Sequence, residues 1–246
     1  EINYERQLIS FARENILPPQ SGLKVDLYLK SNRQITAELI MGTIRTEAII
    51  DTGFTSKTYL LIPLKLIDEY QSILSCEPIK AKGNVVTSII GHSVGMIAKV
   101  NSMKLGDFYT ENLPVTLDNG NSIVIGSKFL SCFNVIFDYP AMKMYLTPID
   151  SRKMATNIFS YGFGSGKDKT GKIRIYTIFK GSPADLSGLV VGDEIRKIYN
   201  QTNIELTYEE LLNLLDSEND QTIKLLISNH TGEREVVLNK TMLLPE

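Results

Sequence analysis

The sequence predicts a mainly β protein made of two successive units, and three observations carry that expectation. Up to about residue 150, short apolar runs with strand periodicity alternate with glycine-bearing turns. One of these runs, Glu47-Ala48-Ile49-Ile50, passes straight into Asp51-Thr52-Gly53. Beyond residue 150 the chain carries paired helix-cap signals between strand-like runs, a different grammar from the first part.

Residues 1–17 alternate apolar and polar positions, and Pro18-Pro19-Gln20-Ser21-Gly22 reads as a linker. Strands are expected over Leu23–Leu29, Gln34–Met41 and the run that ends at Asp51. Pro63 is expected to open a helix in which Leu64, Ile67 and Leu74 share a face. Strands then resume over Val85–Ile90, Val94–Val100, Met103–Leu105 and Leu113–Leu117, with Gly91-His92-Ser93 as the turn between the first two. Ile123-Val124-Ile125-Gly126 is a further apolar run, followed by a short helix from Ser127 and by strands at Val135–Tyr139 and Met142–Leu146.

Composition excludes several classes of function. The chain has 246 residues, 43% hydrophobic and 22% charged, long enough for two cores and without disordered bias. A net charge of −2 with mixed signs gives no basis for binding nucleic acid or an anionic membrane. No apolar run approaches the ~20 residues that span a bilayer, so no membrane span is expected. No metal-ligand spacing occurs, and no cofactor is expected. Cys76 and Cys132 read as buried free thiols, with one disulfide as the alternative in an exported protein. His92 and His230 have no nucleophile and acid in a matching pattern and read as surface residues.

Ile2-Asn3-Tyr4-Glu5-Arg6-Gln7-Leu8-Ile9-Ser10-Phe11 echoes Phe137-Asp138-Tyr139-Pro140-Ala141-Met142-Lys143-Met144-Tyr145-Leu146. Each has an apolar residue, Asn or Asp, Tyr, a short turn and an apolar strand. Residues 1–17 are therefore expected to be either a linker or the closing hairpin of a preceding copy of the same lobe.

An apolar strand ending in Asp51-Thr52-Gly53, a glycine-tipped hairpin some forty residues later, and Ile125-Gly126 before a short helix occur here in order. Over residues 23–148 this resembles a retropepsin-like aspartic peptidase lobe, and the lobe is assigned residues 18–150. The resemblance implies a closed β lobe in which Asp51 faces a second aspartate and shares a proton with it. One carboxyl activates water while the other polarises the peptide carbonyl. The same resemblance gives Thr52 a hydrogen bond across the lobe interface and has the Gly53 backbone orient the carboxylate. It makes Ile90, Gly91, His92 and Ser93 the flap over a polypeptide substrate, and Ile125-Gly126 the support beneath Asp51.

The sequence departs from that pattern in two places. It holds one Asp-Thr-Gly, so the second acid comes from a second lobe, either in cis upstream or in a homodimer. Phe54 also stands where the family commonly has alanine.

Lys180-Gly181-Ser182-Pro183-Ala184-Asp185-Leu186-Ser187-Gly188-Leu189-Val190-Val191-Gly192-Asp193-Glu194-Ile195 resembles a bacterial, circularly permuted PDZ domain, assigned residues 151–246. Ser182, Pro183 and Gly188 fit the cap, first position and end of a helix. Thr207-Tyr208-Glu209-Glu210 is a capping box, with Tyr208, Leu211, Leu212 and Leu215 on one helical face. The resemblance implies that Tyr161, Gly162, Phe163 and Gly164 hold a peptide's C-terminal carboxylate, and that Leu211 and Leu215 wall the groove. The alternative for the leucines is plain core packing. Together these features predict an exported aspartic endopeptidase with a PDZ domain that recognises peptides or protein C-termini. The alternative is an inactive peptidase-like scaffold whose PDZ domain binds protein tails.

Overall fold

A computed structural model describes residues 1–12, 22–69, 71–83, 86–88, 91–93, 95–217 and 222–245. The fold is mainly β, in two compact units. Glu1–Glu77 with Ala98–Thr156 make the first, and Pro78–Ile97 with Asn157–Glu246 make the second.

In the first unit, β1 (Ile2–Asn3) and β2 (Leu8–Ile9) form a small hairpin, followed by β3 (Leu23–Leu29), β4 (Ile35–Met41) and β5 (Ile44–Ile50). Next is β6 (Leu60–Pro63), which runs into helix α1 (Leu64–Glu69). Pro63 thus ends a strand and α1 starts after it, while Leu74 lies beyond the helix in a bridge to Val100. The helix stops early because the stretch after it tightens into a 3₁₀ turn over Gln71–Ile73.

Next in the chain are β7 (Ile79–Gly83), β8 (Val86–Ser88) and β9 (Gly91–Ser93), which belong to the second unit. Strand β10 (Gly95–Leu105) follows. The first unit continues with β11 (Phe108–Asp118), β12 (Ile123–Ile125), helix α2 (Ser127–Leu130), β13 (Phe133–Asp138) and β14 (Lys143–Pro148).

The pairing order explains where the first unit's core lies. β14 bonds β13 on one side and the first half of β3 on the other, and the second half of β3 bonds β4. β4 bonds β5, β5 lies parallel to β12, and β12 bonds β6, which lies parallel to β11. β6 and β12 are wholly or largely buried, as expected of short apolar strands covered on both faces. Phe108, Phe129 and Phe133 form a ring cluster in the same unit, with centroids 5.2–5.4 Å apart.

The second unit adds β15 (Phe159–Ser160), β16 (Phe163–Lys167), β17 (Ile173–Phe179), helix α3 (Pro183–Leu186) and β18 (Glu194–Asn200). Helix α4 (Tyr208–Asp216), β19 (Thr222–Asn229), β20 (Gly232–Asn239) and β21 (Thr241–Met242) complete it. Both helix starts form as the sequence predicts. The Ser182 hydroxyl accepts from the Asp185 amide at 3.3 Å, and Thr207 and Glu210 make a reciprocal capping box.

Residues 78–97, expected in the first lobe, group with the second unit, and the reason is backbone pairing. Ala81, Lys82 and Gly83 of β7 pair with Phe179, Ile178 and Thr177 of β17. Gly83 has φ +81°, and a Cβ there would lie 2.0 Å from the Tyr176 carbonyl oxygen, so only glycine allows this approach. The Lys82 ammonium also meets Asp185 at 2.8 Å.

Candidate active site

A short loop and the ends of two neighbouring strands build the site around Asp51. Parallel pairing sets Ile123, Val124 and Ile125 of β12 beside Ala48, Ile49 and Ile50 of β5. The ladder continues one step further, with the Asp51 amide donating to the Ile125 carbonyl at 3.0 Å. The chain therefore passes from a partly buried ladder to solvent: Ile125 is fully buried, while Asp51, Thr52 and Gly53 are exposed.

A tight turn then fixes the acid. The Gly53 amide donates to Asp51 Oδ1 at 2.9 Å, and the Phe54 amide donates to the Asp51 carbonyl at 3.3 Å. The first of these bonds orients the carboxylate.

Phe54, the departure noted above, has a definite place. Its ring lies on Gly126: a Cβ at that glycine would be 2.6 Å from Phe54 Cδ1 and 2.7 Å from the Phe54 carbonyl oxygen. That carbonyl accepts from both the Ser127 amide at 2.9 Å and the Ser127 hydroxyl at 3.0 Å. The ring thus anchors the loop onto the glycine that precedes α2.

Farther along, hydroxyls hold the loop's exit. Ser56 Oγ accepts from the Thr58 amide at 3.2 Å, and Thr58 Oγ1 meets Thr116 Oγ1 of β11 at 2.7 Å in a buried contact. Tyr59 Oη accepts from the Ala155 amide at 2.7 Å. Sequence reasoning does not single out Ser127, Thr58 or Thr116. Ser127 has a visible signal as the first residue of a helix directly after Ile125-Gly126, whereas the Thr58–Thr116 pair spans 58 positions and has none.

Of the expected site residues, the structure brings Asp51, Thr52 and Gly53 together with Ile125-Gly126. Gly91, His92 and Ser93 form β9, paired with Ser88, Thr87 and Val86, so they are strand and not the expected turn. The antiparallel register with β8 runs through all three, and Ile90 lies outside the described residues.

In the second unit, the residues expected to bind peptide are largely core. Tyr161, Phe163, Leu211 and Leu215 are at most 6% exposed and belong to one apolar cluster, so packing accounts for the leucine stripe. The Gly162 amide is used internally, donating to Ser160 Oγ at 3.1 Å. Among the described residues β16 pairs along one edge only, with β17, and the register shifts between Gly164 and Ser165. Toward its other edge the Tyr208 hydroxyl of α4 donates to the Ser165 carbonyl at 3.0 Å.

Both cysteines are free thiols, and burial raises the pKa of Cys132. Among the described residues no group of three His, Cys, Asp or Glu side chains could hold a metal ion, and no helix is long and apolar enough to cross a membrane.

No family model and no curated protein matches this chain. Solved structures that match include a retropepsin-like aspartic protease from Rickettsia conorii, 12% identical, with a TM-score of 0.37 over 50% of this chain and 98% of that one. They also include the HtrA-type protease AlgW and a serine-to-alanine variant of it, both with decapeptide, at 9% and 11% identity and TM-scores of 0.31 and 0.32. Those two alignments each cover 94% of this chain, with 82% and 81% of the other. All three scores are low.

Proposed function

We propose that the first unit is one half of an aspartic-peptidase active site, with Asp51 as one of two acids that activate water for peptide hydrolysis. The observation that supports this most is the presentation of Asp51. It is an exposed carboxylate at the end of a strand paired to β12, held by the Gly53 amide, beside a glycine that admits the Phe54 anchor. A turn aspartate needed only for folding does not require that scaffold. A second carboxyl brought against Asp51 would share a proton with it, since two adjacent carboxylates resist joint ionisation. The pair would then titrate as a unit. The second acid belongs to a second lobe, because this chain has one Asp-Thr-Gly.

The decisive experiment uses the natural polypeptide with both lobes. Cleavage of an unfolded protein substrate should be favoured by acid, inhibited by pepstatin and reduced about 10²–10⁴-fold by Asp51→Asn. Equal rates for the variant and the unmodified protein would overturn the assignment of Asp51.

A second reading, an inactive scaffold whose second unit takes protein tails, is favoured by β16's having one strand partner among the described residues. An added peptide strand is the general way such an edge is used. To bind there, a peptide must first replace the Tyr208 hydroxyl on the Ser165 carbonyl.

A further inference from the structure

Strands β1 and β2 form a hairpin whose construction repeats that of β13 and β14. Asn3 pairs with Leu8 and Asp138 pairs with Lys143, so each hairpin closes on a four-residue loop that begins with tyrosine. In one the Arg6 amide donates to Asn3 Oδ1 at 2.9 Å, and in the other the Ala141 amide donates to Asp138 Oδ1 at 3.1 Å. The last loop residue is left-handed in both, Gln7 at φ 52° and Met142 at φ 49°. Non-glycine residues seldom adopt that conformation, so its recurrence at equivalent places is specific.

The two hairpins also face each other symmetrically. Ile2 pairs antiparallel with Val135, which sets Glu1 opposite Ile136, its own equivalent in the repeat. Such self-matching register is what a local two-fold axis between two copies of one element produces. Arg152 ties the arrangement down, donating to the Tyr4 carbonyl at 3.1 Å and the Ser131 carbonyl at 3.2 Å.

Burial is where the copies differ. Met144 and Leu146 are 0% exposed, in the lobe's core, and their strand pairs onward with Val25 and Leu23 of β3. Their equivalents Ile9 and Phe11 are 61% and 95% exposed. The Ser10 amide is used toward Glu1, so the amides of Ile9 and Phe11 point to the outer edge. Large apolar residues on an unpaired strand edge are a liability that proteins normally cover.

We propose that residues 1–12 are the closing hairpin of a second lobe of the same fold, carried on the same polypeptide ahead of residue 22. That lobe packs Ile9 and Phe11 into its core and adds its own equivalent of β3 to the outer edge of β2. A second copy of this chain does not fit the same place, because β1 already occupies the edge of β13 that the two-fold contact would use. The inference rests on the lobe reading given above and not on activity: a catalytically silent second lobe would bury the same two residues.

Hydrogen exchange at the Ile9 and Phe11 amides tests it without substitution. Both should exchange at the rate of an open strand edge in the 246-residue chain, and at least about a hundredfold more slowly in the complete natural polypeptide. A Phe11→Cys thiol should follow the same pattern toward a maleimide, while a Tyr109→Cys control stays reactive in both. Equal exchange in the two proteins overturns the inference. So does a complete polypeptide with no β lobe ahead of the hairpin, or protection that arises from self-association of the 246-residue chain. Protection without peptidase activity would defeat the proposed chemistry and leave the inference standing.

Discussion

Asp51 and Asp168 both open tight turns, one in each unit, and the turns use their carboxylates in opposite ways. Asp51 receives the Gly53 amide on Oδ1, the one donor to that carboxylate among the described residues. Asp168 receives the Thr170 hydroxyl at 2.6 Å, the Thr170 amide at 2.8 Å and the Lys172 amide at 3.1 Å, all on Oδ1, with Arg174 Nε on Oδ2 at 2.7 Å. The Thr170 hydroxyl above all, then Arg174, hold the Asp168 carboxyl well below the usual range. A carboxylate saturated this way stays ionised and serves the turn between β16 and β17. Asp51, held by a single amide among the described residues, is left open to solvent. The difference is between a carboxylate whose oxygens are spent on folding and one that folding leaves largely unused.

The strongest way to break that contrast is exchange of each acid for its amide. If the proposed acid dyad operates, Asp51→Asn should lower peptidase activity about 10²–10⁴-fold with an unchanged melting temperature. Asp168→Asn should leave kcat and KM alone and act on stability, and a matching loss of activity from both variants would erase the distinction. Turnover and thermal unfolding of each variant decide it.

Next in size is the support under Asp51. Gly126→Ala places a methyl inside the Phe54 ring and carbonyl contacts, and should destabilise the first unit by about 1–3 kcal/mol in chemical denaturation. Adding Phe54→Ala relieves the ring contact but not the one with the carbonyl. The double variant should therefore recover part of the loss. Full recovery would show that the ring alone makes glycine necessary there.

The pH dependence of stability gives a smaller signal with a fixed sign. Because Asp168 has a lower pKa folded than unfolded, its contribution is complete above the ordinary aspartate pKa of about 3.9 and is lost as pH falls toward its folded value. Asp168→Asn should flatten the stability profile below about pH 4 and leave its shape near neutrality unchanged. Urea midpoints across that range measure it. The smallest effect is that of Thr170→Val, which removes the leading donor. The Asp168 carboxyl should then titrate higher in an NMR experiment, still below an unperturbed aspartate because Arg174 and two amides remain.

Much of this was legible one segment at a time. The strand into Asp51, the Ile125-Gly126 run, the Ser182 cap and the Thr207–Glu210 capping box depend on neighbours within a few positions, where spacing and side-chain chemistry act directly. The hairpin echo was legible too, since its loop uses local Asx chemistry twice. Three features were not local and needed the tertiary structure. Phe54 stands out in sequence only as a departure from alanine, yet it is an anchor because Gly126, 72 positions away in the chain, leaves room for its ring. The strand Ile79–Gly83 reads as part of the first lobe, yet its edge is taken by β17 through a glycine that permits the approach. Leu211 and Leu215 fit a groove wall or a core equally well by periodicity, and only the strands packed on α4 settle them as core. Sequence determined which residues could form each element, because caps, turns and periodicity are set by nearest neighbours. Tertiary structure decided which faces are covered, because burial depends on partners brought from far along the chain.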